Sequence, residues 1–144
     1  MSGILHGYQK RVRRDRSLAR AIKKSRRIGI TWMELGRSVE DAIRKNGRST
    51  YYMSHTAWAG RDAMQQVERW GDYYDAIARK LHGKSIWRGG SKRKALSATK
   101  ALFEGGRKFE VLPSSPRLLR GSADAPHYLV DEVEFHQNTQ EMLD

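Results

Sequence analysis

Trp32, Leu35, Val39 and Ile43 recur at intervals of three and four. That spacing lines one face of an α-helix, so it predicts a helix over about 31–45. Asn46-Gly47 should end it, since both residues tolerate the left-handed conformation common just past a helix. A longer stripe, Ala63, Val67, Trp70, Tyr74, Ile77 and Leu81, predicts a second helix over about 56–81. Between the two, Thr50-Tyr51-Tyr52-Met53 is aromatic and β-branched and reads as a strand within 48–54.

The rest of the chain is punctuated by glycine, proline and charge. Residues 8–20 read as a basic helix leading into a short strand near 19–24, followed by a tight turn at Ser25-Arg26-Arg27-Ile28-Gly29. Residues 82–94, rich in Gly, Ser and basic side chains, read as a loop. Residues 99–103 and 108–112 flank Gly105-Gly106 and predict a β-hairpin, because glycines supply the positive φ of tight turns. Pro113-Ser114-Ser115-Pro116 interrupts the second strand and leads to a helical turn at 117–120. His127-Tyr128-Leu129-Val130 is a short apolar strand ending in Asp131-Glu132. Strand, turn, helix, strand, helix is the order of an α/β sheet with crossover helices, and 144 residues suit one domain.

Composition narrows the classes. Hydrophobic residues at 38% and charged residues at 31% fit a soluble globular chain rather than a disordered one. No apolar run approaches a membrane span, and the start, from Met1 to His6, has no signal pattern. The absence of cysteine excludes disulfides, thiolate metal sites and a cysteine nucleophile, and is compatible with a reducing cytoplasm. The net charge of +12 is unevenly placed: ten of the eighteen residues from Lys10 to Arg27 are Lys or Arg, whereas Asp131 to Asp144 holds five acids and no Lys or Arg. Such a basic stretch attracts phosphate, of nucleotide or nucleic acid.

Two short segments carry candidate chemistry. Lys24-Ser25-Arg26-Arg27-Ile28-Gly29-Ile30-Thr31 lies between the expected strand and helix, where a phosphate loop belongs. Such a loop aims backbone N–H groups at phosphate, and its Ser or Thr hydroxyl ligates Mg²⁺. Gly29 and Thr31 fit the end of the G-x-x-x-x-G-K-[ST] pattern, but Lys24 stands where the first glycine is usual and Ile30 replaces the lysine. Taken alone, an ordinary basic turn explains this segment better. The strand ending in Asp131-Glu132 offers one carboxylate to hold Mg²⁺ and a second to polarise an attacking water. An ordinary strand ending in two solvated acids would look the same.

Taken in order, Tyr8-Gln9-Lys10, the segment 24–32 ending in Trp32, Leu112-Pro113-Ser114-Ser115-Pro116 with Leu119-Arg120-Gly121, and Val130-Asp131-Glu132 with Phe135-His136 resemble the large terminase subunits of Mu-like phages and prophages. The resemblance implies a P-loop NTPase-like fold with a mostly parallel sheet, and an ATPase that drives double-stranded DNA into a procapsid with ATP and Mg²⁺. It implies that Gln9 reads the adenine beside Tyr8, that 24–31 is the Walker A loop with Thr31 on Mg²⁺, and that Asp131 and Glu132 are the Walker B and catalytic carboxylates. Lys24, Arg26 or Arg27 would supply the positive charge that Ile30 cannot, and Arg120 would have a structural or nucleotide-linked role. Residues 1–22 would form a basic adenine-side segment and 23–132 the core between the two Walker motifs. The implied partners are double-stranded DNA, the small terminase subunit, the portal protein and further copies of the chain, in the cytoplasm of a bacterial host.

The chain ends soon after Glu132, so the resemblance implies only the first part of such an ATPase, without its later strand or nuclease domain. Alone it is expected to be poorly stable and not to package DNA. Two other readings stay open: a non-catalytic remnant or basic DNA-binding module, and a helicase-like ATPase. Arg88, Lys92, Arg93 and Lys94 are candidate DNA contacts, since a mobile basic loop can follow a phosphate backbone; a solvated loop is an equal reading. His127 and His136 flank the acids, but they lack the partners of a metal site. Trp58, Trp70, Trp87 and Tyr73 could stack bases; for Trp70, packing is the better reading.

Overall fold

Residues 4–17, 19–22, 28–113 and 126–131 are described by the structure, a computed structural model. Strand β1 (Thr50–Met53) lies between β3 (Lys108–Leu112) and β4 (His127–Val130) and runs parallel to both. Strand β2 (Lys100–Leu102) pairs antiparallel with β3, giving the order β2-β3-β1-β4. The fold is therefore α/β, with a four-stranded mixed sheet. The hairpin turn between β2 and β3 uses Gly105 and Gly106 at φ 88° and 84°, as the sequence predicts.

Helices α2 (Ile30–Ile43) and α3 (Ala57–His82) supply most of the apolar surface. Leu35, Val39 and Ala42 of α2 meet Ala63, Val67 and Trp70 of α3 over Tyr52, Phe109 and Ala101 of the sheet. Removing each larger side chain from water contributes about 1.5–3 kcal/mol. Thr56 starts α3 by accepting a hydrogen bond from the Ala59 N–H (3.1 Å), and Gly83 ends it at φ 67°. The predicted stripe fades in the last turns of α3, where Ile77 is 38% and Leu81 67% exposed.

Two close approaches make glycine necessary in the helix pair. A Cβ on Gly36 would lie 2.4 Å from the Trp70 ring, and one on Gly71 2.4 Å from the Trp87 ring. The tryptophans fill these notches. The indole N–H of Trp70 donates to the Trp32 carbonyl (3.0 Å), and Trp87 stacks on Phe103. Both are packing residues, as expected for Trp70; Trp58 is 69% exposed, and Tyr73 meets Trp70 edge to face.

Several boundaries differ from the sequence expectation. Helix α1 (Gly7–Arg14) is shorter than predicted, because Asp15 accepts from the backbone N–H (2.9 Å) and hydroxyl (2.6 Å) of Ser17, a local turn that competes with the helix. Residues 19–22 of the expected strand near 19–24 are not in the sheet. Arg20 turns back instead, donating to the Val12 carbonyl (2.9 Å) and pairing with Glu34 of α2 (3.1 Å), while Ala21 and Ile22 are exposed. Gly47 follows α2 for a different reason than a left-handed turn: a Cβ there would lie 1.4 Å from the Asp41 carbonyl oxygen. The expected loop at 82–94 contains a 3₁₀ turn at Arg88–Gly90 and helix α4 (Lys92–Ala95), held by the Trp87–Phe103 bridge. The helical turn expected at 117–120 falls outside the described residues.

Candidate functional site

Helix α2 begins at Gly29, whose φ of 73° turns the chain sharply into the helix. The turn is held from behind by α1. Tyr8 donates its phenolic hydrogen to the Ile28 carbonyl, and the Gln9 amide donates to the carbonyls of Gly29 (3.0 Å) and Ile28 (3.5 Å). The Gln9 amide oxygen accepts the His6 N–H (2.8 Å). Gln9 is 2% exposed, so these partners satisfy a buried amide that would otherwise cost stability. Gly29 is required twice, for its positive φ and because a Cβ would lie 2.7 Å from the Gln9 side-chain nitrogen.

Ile30, at the position where a phosphate loop carries lysine, is buried in a small core with Leu5 and Met33, flanked by Tyr8, Val12, Ile28 and Trp32. The next side chain emerges from it. Thr31 donates its hydroxyl to a carboxylate oxygen of Asp131 (2.9 Å), and the Tyr52 hydroxyl lies 3.3 Å from the same oxygen. Asp131 is placed by the sheet: its N–H donates to the Met53 carbonyl (3.0 Å), continuing the β1–β4 ladder one residue past the strand. The first turn of α2 has no side-chain cap and no acid of its own, so the carboxylate nearest to it is that of Asp131, at the Thr31 hydroxyl.

The structure thus brings together Tyr8, Gln9, Ile28, Gly29, Ile30, Thr31, Trp32 and Asp131. Lys24, Ser25, Arg26, Arg27, Arg120, Glu132 and His136 lie outside the described residues. Arg88, Lys92, Arg93 and Lys94 form a separate group. Lys92 is engaged there: its ammonium contacts Glu68 (2.8 Å) and Asp72 (2.7 Å), and those hydrogen bonds raise its pKa. His127 pairs with Asp41 (3.4 Å), and burial keeps its pKa below the ordinary histidine value despite that carboxylate. Among the described residues no three His, Cys, Asp or Glu side chains cluster as metal ligands. Thr31 and Asp131 offer oxygen donors, the kind a hard cation such as Mg²⁺ takes alongside substrate phosphates and water.

Sequence reasoning missed Tyr52 as a neighbour of Asp131. Alternation in β1 separates Tyr51 from Tyr52, but the register against β4 is a long-range property with no local signal. It also missed Glu34, 7% exposed, which gathers Arg20 (3.1 Å) and Arg37 (3.9 Å) beneath α1.

An uncapped helix start facing a carboxylate at the end of a parallel strand defines an α/β protein with a candidate anion and cation site. Two curated relatives sharpen this class. The chain is 28% identical to the probable terminase large subunit gp28 of Escherichia phage Mu, over 97% of this chain and 26% of that protein. It is 27% identical to the Mu-like prophage FluMu protein gp28 of Haemophilus influenzae, over 99% of this chain and 28% of that one. The resemblance to large terminase subunits of Mu-like phages therefore extends along nearly the whole chain, which spans about a quarter of the length of these relatives. No protein-family model matches the chain, and no solved structure does. No helix among the described residues is long and apolar enough to cross a membrane.

Proposed function

We propose that this chain is the nucleotide-binding part of a DNA-packaging ATPase with a P-loop NTPase-like core. In this reading the turn before α2 holds the phosphates of ATP, and hydrolysis moves double-stranded DNA into a procapsid. The reading takes its direction from the terminase relative; the observation that carries it is the 2.9 Å contact between Thr31 and Asp131, made across 100 positions of sequence. Bound Mg²⁺ would neutralise the phosphate oxygens. The residues that would hold it are Thr31, through its hydroxyl, and Asp131, through its carboxylate.

Other roles follow from position. The backbone N–H groups at the start of α2 receive phosphate oxygens. Tyr8 and Gln9 hold the turn from behind; because the Gln9 amide is buried and engaged by His6, Ile28 and Gly29, its role here is to position the turn rather than to read the adenine. Glu132, next in sequence to Asp131, takes the proton of the attacking water. Because Ile30 is packed in the core, the missing lysine's charge comes from Lys24, Arg26 or Arg27; an arginine offers a planar fork of donors to phosphate. The whole machine would work in the bacterial cytoplasm as an oligomer with a small terminase subunit and a portal protein.

The experiment is Mg²⁺-dependent binding and hydrolysis of ATP by the purified chain, beside Thr31→Ala and Glu132→Gln. The proposal expects Thr31→Ala to abolish Mg²⁺-dependent binding and Glu132→Gln to keep binding while losing turnover. A folded chain that binds no nucleotide would overturn it. The buried Ile30 favours a second reading, in which nucleotide binds without turnover; it is supported if wild type and Glu132→Gln bind ATP alike and neither hydrolyses it.

A further inference from the structure

The densest positive charge among the described residues is not at the segment 88–94. It lies in a cleft of about 190 Å³ between α1 and α2, where Lys10, Arg13, Arg14 and Arg16 face Arg37 and Arg44. Two carboxylates, Glu40 and Asp41, share the cleft, which leaves six cations against two anions, a local surplus of four.

The surplus can be assigned. Glu40 is already engaged by Arg13 and Arg44, and Asp41 by Arg44 (3.6 Å) and His127 (3.4 Å). Arg14 and Arg16 are exposed and have no carboxylate partner among the described residues. Arg37 is mostly buried; its guanidinium reaches the Asp15 carbonyl (3.4 Å) and, more distantly, Glu34 (3.9 Å). Burial, together with the neighbouring Arg20 and Arg16, depresses its pKa although Glu34 and Asp41 oppose this. Like charges crowded in a partly desolvated cleft are stabilised by an incoming anion.

We propose that the α1–α2 cleft grips the phosphate backbone of double-stranded DNA, with Arg14, Arg16 and Arg37 as the principal contacts. Two exposed arginines without a carboxylate partner among the described residues, beside Arg37 of α2, which Glu34 reaches only at 3.9 Å, exceed what one carboxylate or one small anion needs. They suit a polymer that carries about one charge per 1.7 Å of its axis and accepts bidentate guanidinium contacts to phosphate. The acids already in the cleft bind its inner arginines, so the outer ones remain for the ligand. This inference rests on the reading that the chain handles duplex DNA, but not on the nucleotide site.

The test is fluorescence anisotropy of a short labelled duplex titrated with the full chain without nucleotide, over about 50–200 mM salt, a range in which phosphate contacts weaken steeply. Arg14→Ala/Arg16→Ala is compared with Arg61→Ala/Lys80→Ala, which removes equal charge from exposed positions on α3. The cleft variant is expected to lose about tenfold in affinity and to lower the salt slope by roughly two, close to 0.9 per lost phosphate contact. The α3 variant should keep wild-type affinity and slope. Thermal melts check that both remain folded, and Arg14→Lys/Arg16→Lys, which keeps the charge, should recover most of the binding. Equal losses in both variants would assign binding to net charge and overturn the proposal, as would a cleft variant that binds like wild type. Binding of single-stranded RNA or polyglutamate with none of the duplex would also overturn it. ATP binding by the same samples is a separate readout, so failure here is distinct from failure of the nucleotide site.

Discussion

The hydroxyl of Thr31 donates to the carboxylate of Asp131 across 2.9 Å, joining the start of α2 to the end of β4. Thr31→Val keeps the shape and removes the hydroxyl. It is expected to lower stability by about 1–2 kcal/mol, since a hydrogen bond to a charged acceptor is worth about 1.5–3 kcal/mol and this one is only partly buried. Urea unfolding measures that. Binding of a fluorescent ATP analogue should lose its Mg²⁺-dependent component, by tenfold or more, whereas Thr31→Ser should retain it.

Gln9→Ala leaves the His6 N–H without its side-chain acceptor and the Gly29 turn without its clamp. A loss of about 1–3 kcal/mol is expected from the urea midpoint. Gln9→Glu should be worse, because a carboxylate would face the carbonyl oxygens of Ile28 and Gly29, which now accept from the Gln9 amide. Equal stability of wild type and Gln9→Ala would show that the turn is held by other contacts.

Gly36→Ala places a methyl group 2.4 Å from the Trp70 ring. Separating α2 from α3 to make room should cost about 1–3 kcal/mol, the usual range for overpacking. Tryptophan fluorescence should report the displaced indole in the folded state. Gly83→Ala makes a useful contrast: open space surrounds that position, so any loss comes from its φ of 67° alone.

The His127 prediction concerns pH. Burial is the larger influence and lowers its folded pKa below 6.5, while Asp41 pulls the other way. The unfolded chain therefore takes up the proton first as pH falls, and stability declines from about pH 6.5 down through the lower folded pKa. Above pH 7 this contribution is fully present. Urea midpoints between pH 7.5 and about pH 5 should show the decline, and it should flatten in His127→Gln. An unchanged slope in that variant would assign the effect to other histidines.

How much of this could be read from the chain alone depends on the range of the interaction. Helices α2 and α3 were legible because Leu35, Val39, Val67 and Trp70 repeat at a local period that the core then uses. The hairpin was legible because Gly105 and Gly106 can take positive φ where other residues rarely do. The expected strand near 19–24 was misread over 19–22 because nothing local reveals that Arg20 has a distant partner in Glu34. The pairing of β1 with β4 lies beyond any periodicity, so the meeting of Thr31 with Asp131 could be expected only through the resemblance to a known family. Charge was visible at 10–27, but the cleft was not, since Arg37 and Arg44 enter it from the other helix.

The two glycine notches have a mechanical consequence. Trp32 and Gly36 of α2 bear on Trp70, Gly71 of the same long helix bears on Trp87, and Trp87 lies on Phe103 at the edge of the hairpin turn. Interlocked rings and bare backbone leave little slack between the turn at Gly29 and the basic segment at 88–94. A push at one end would be transmitted as in a lever, by rotation of the whole block, rather than absorbed as in a spring.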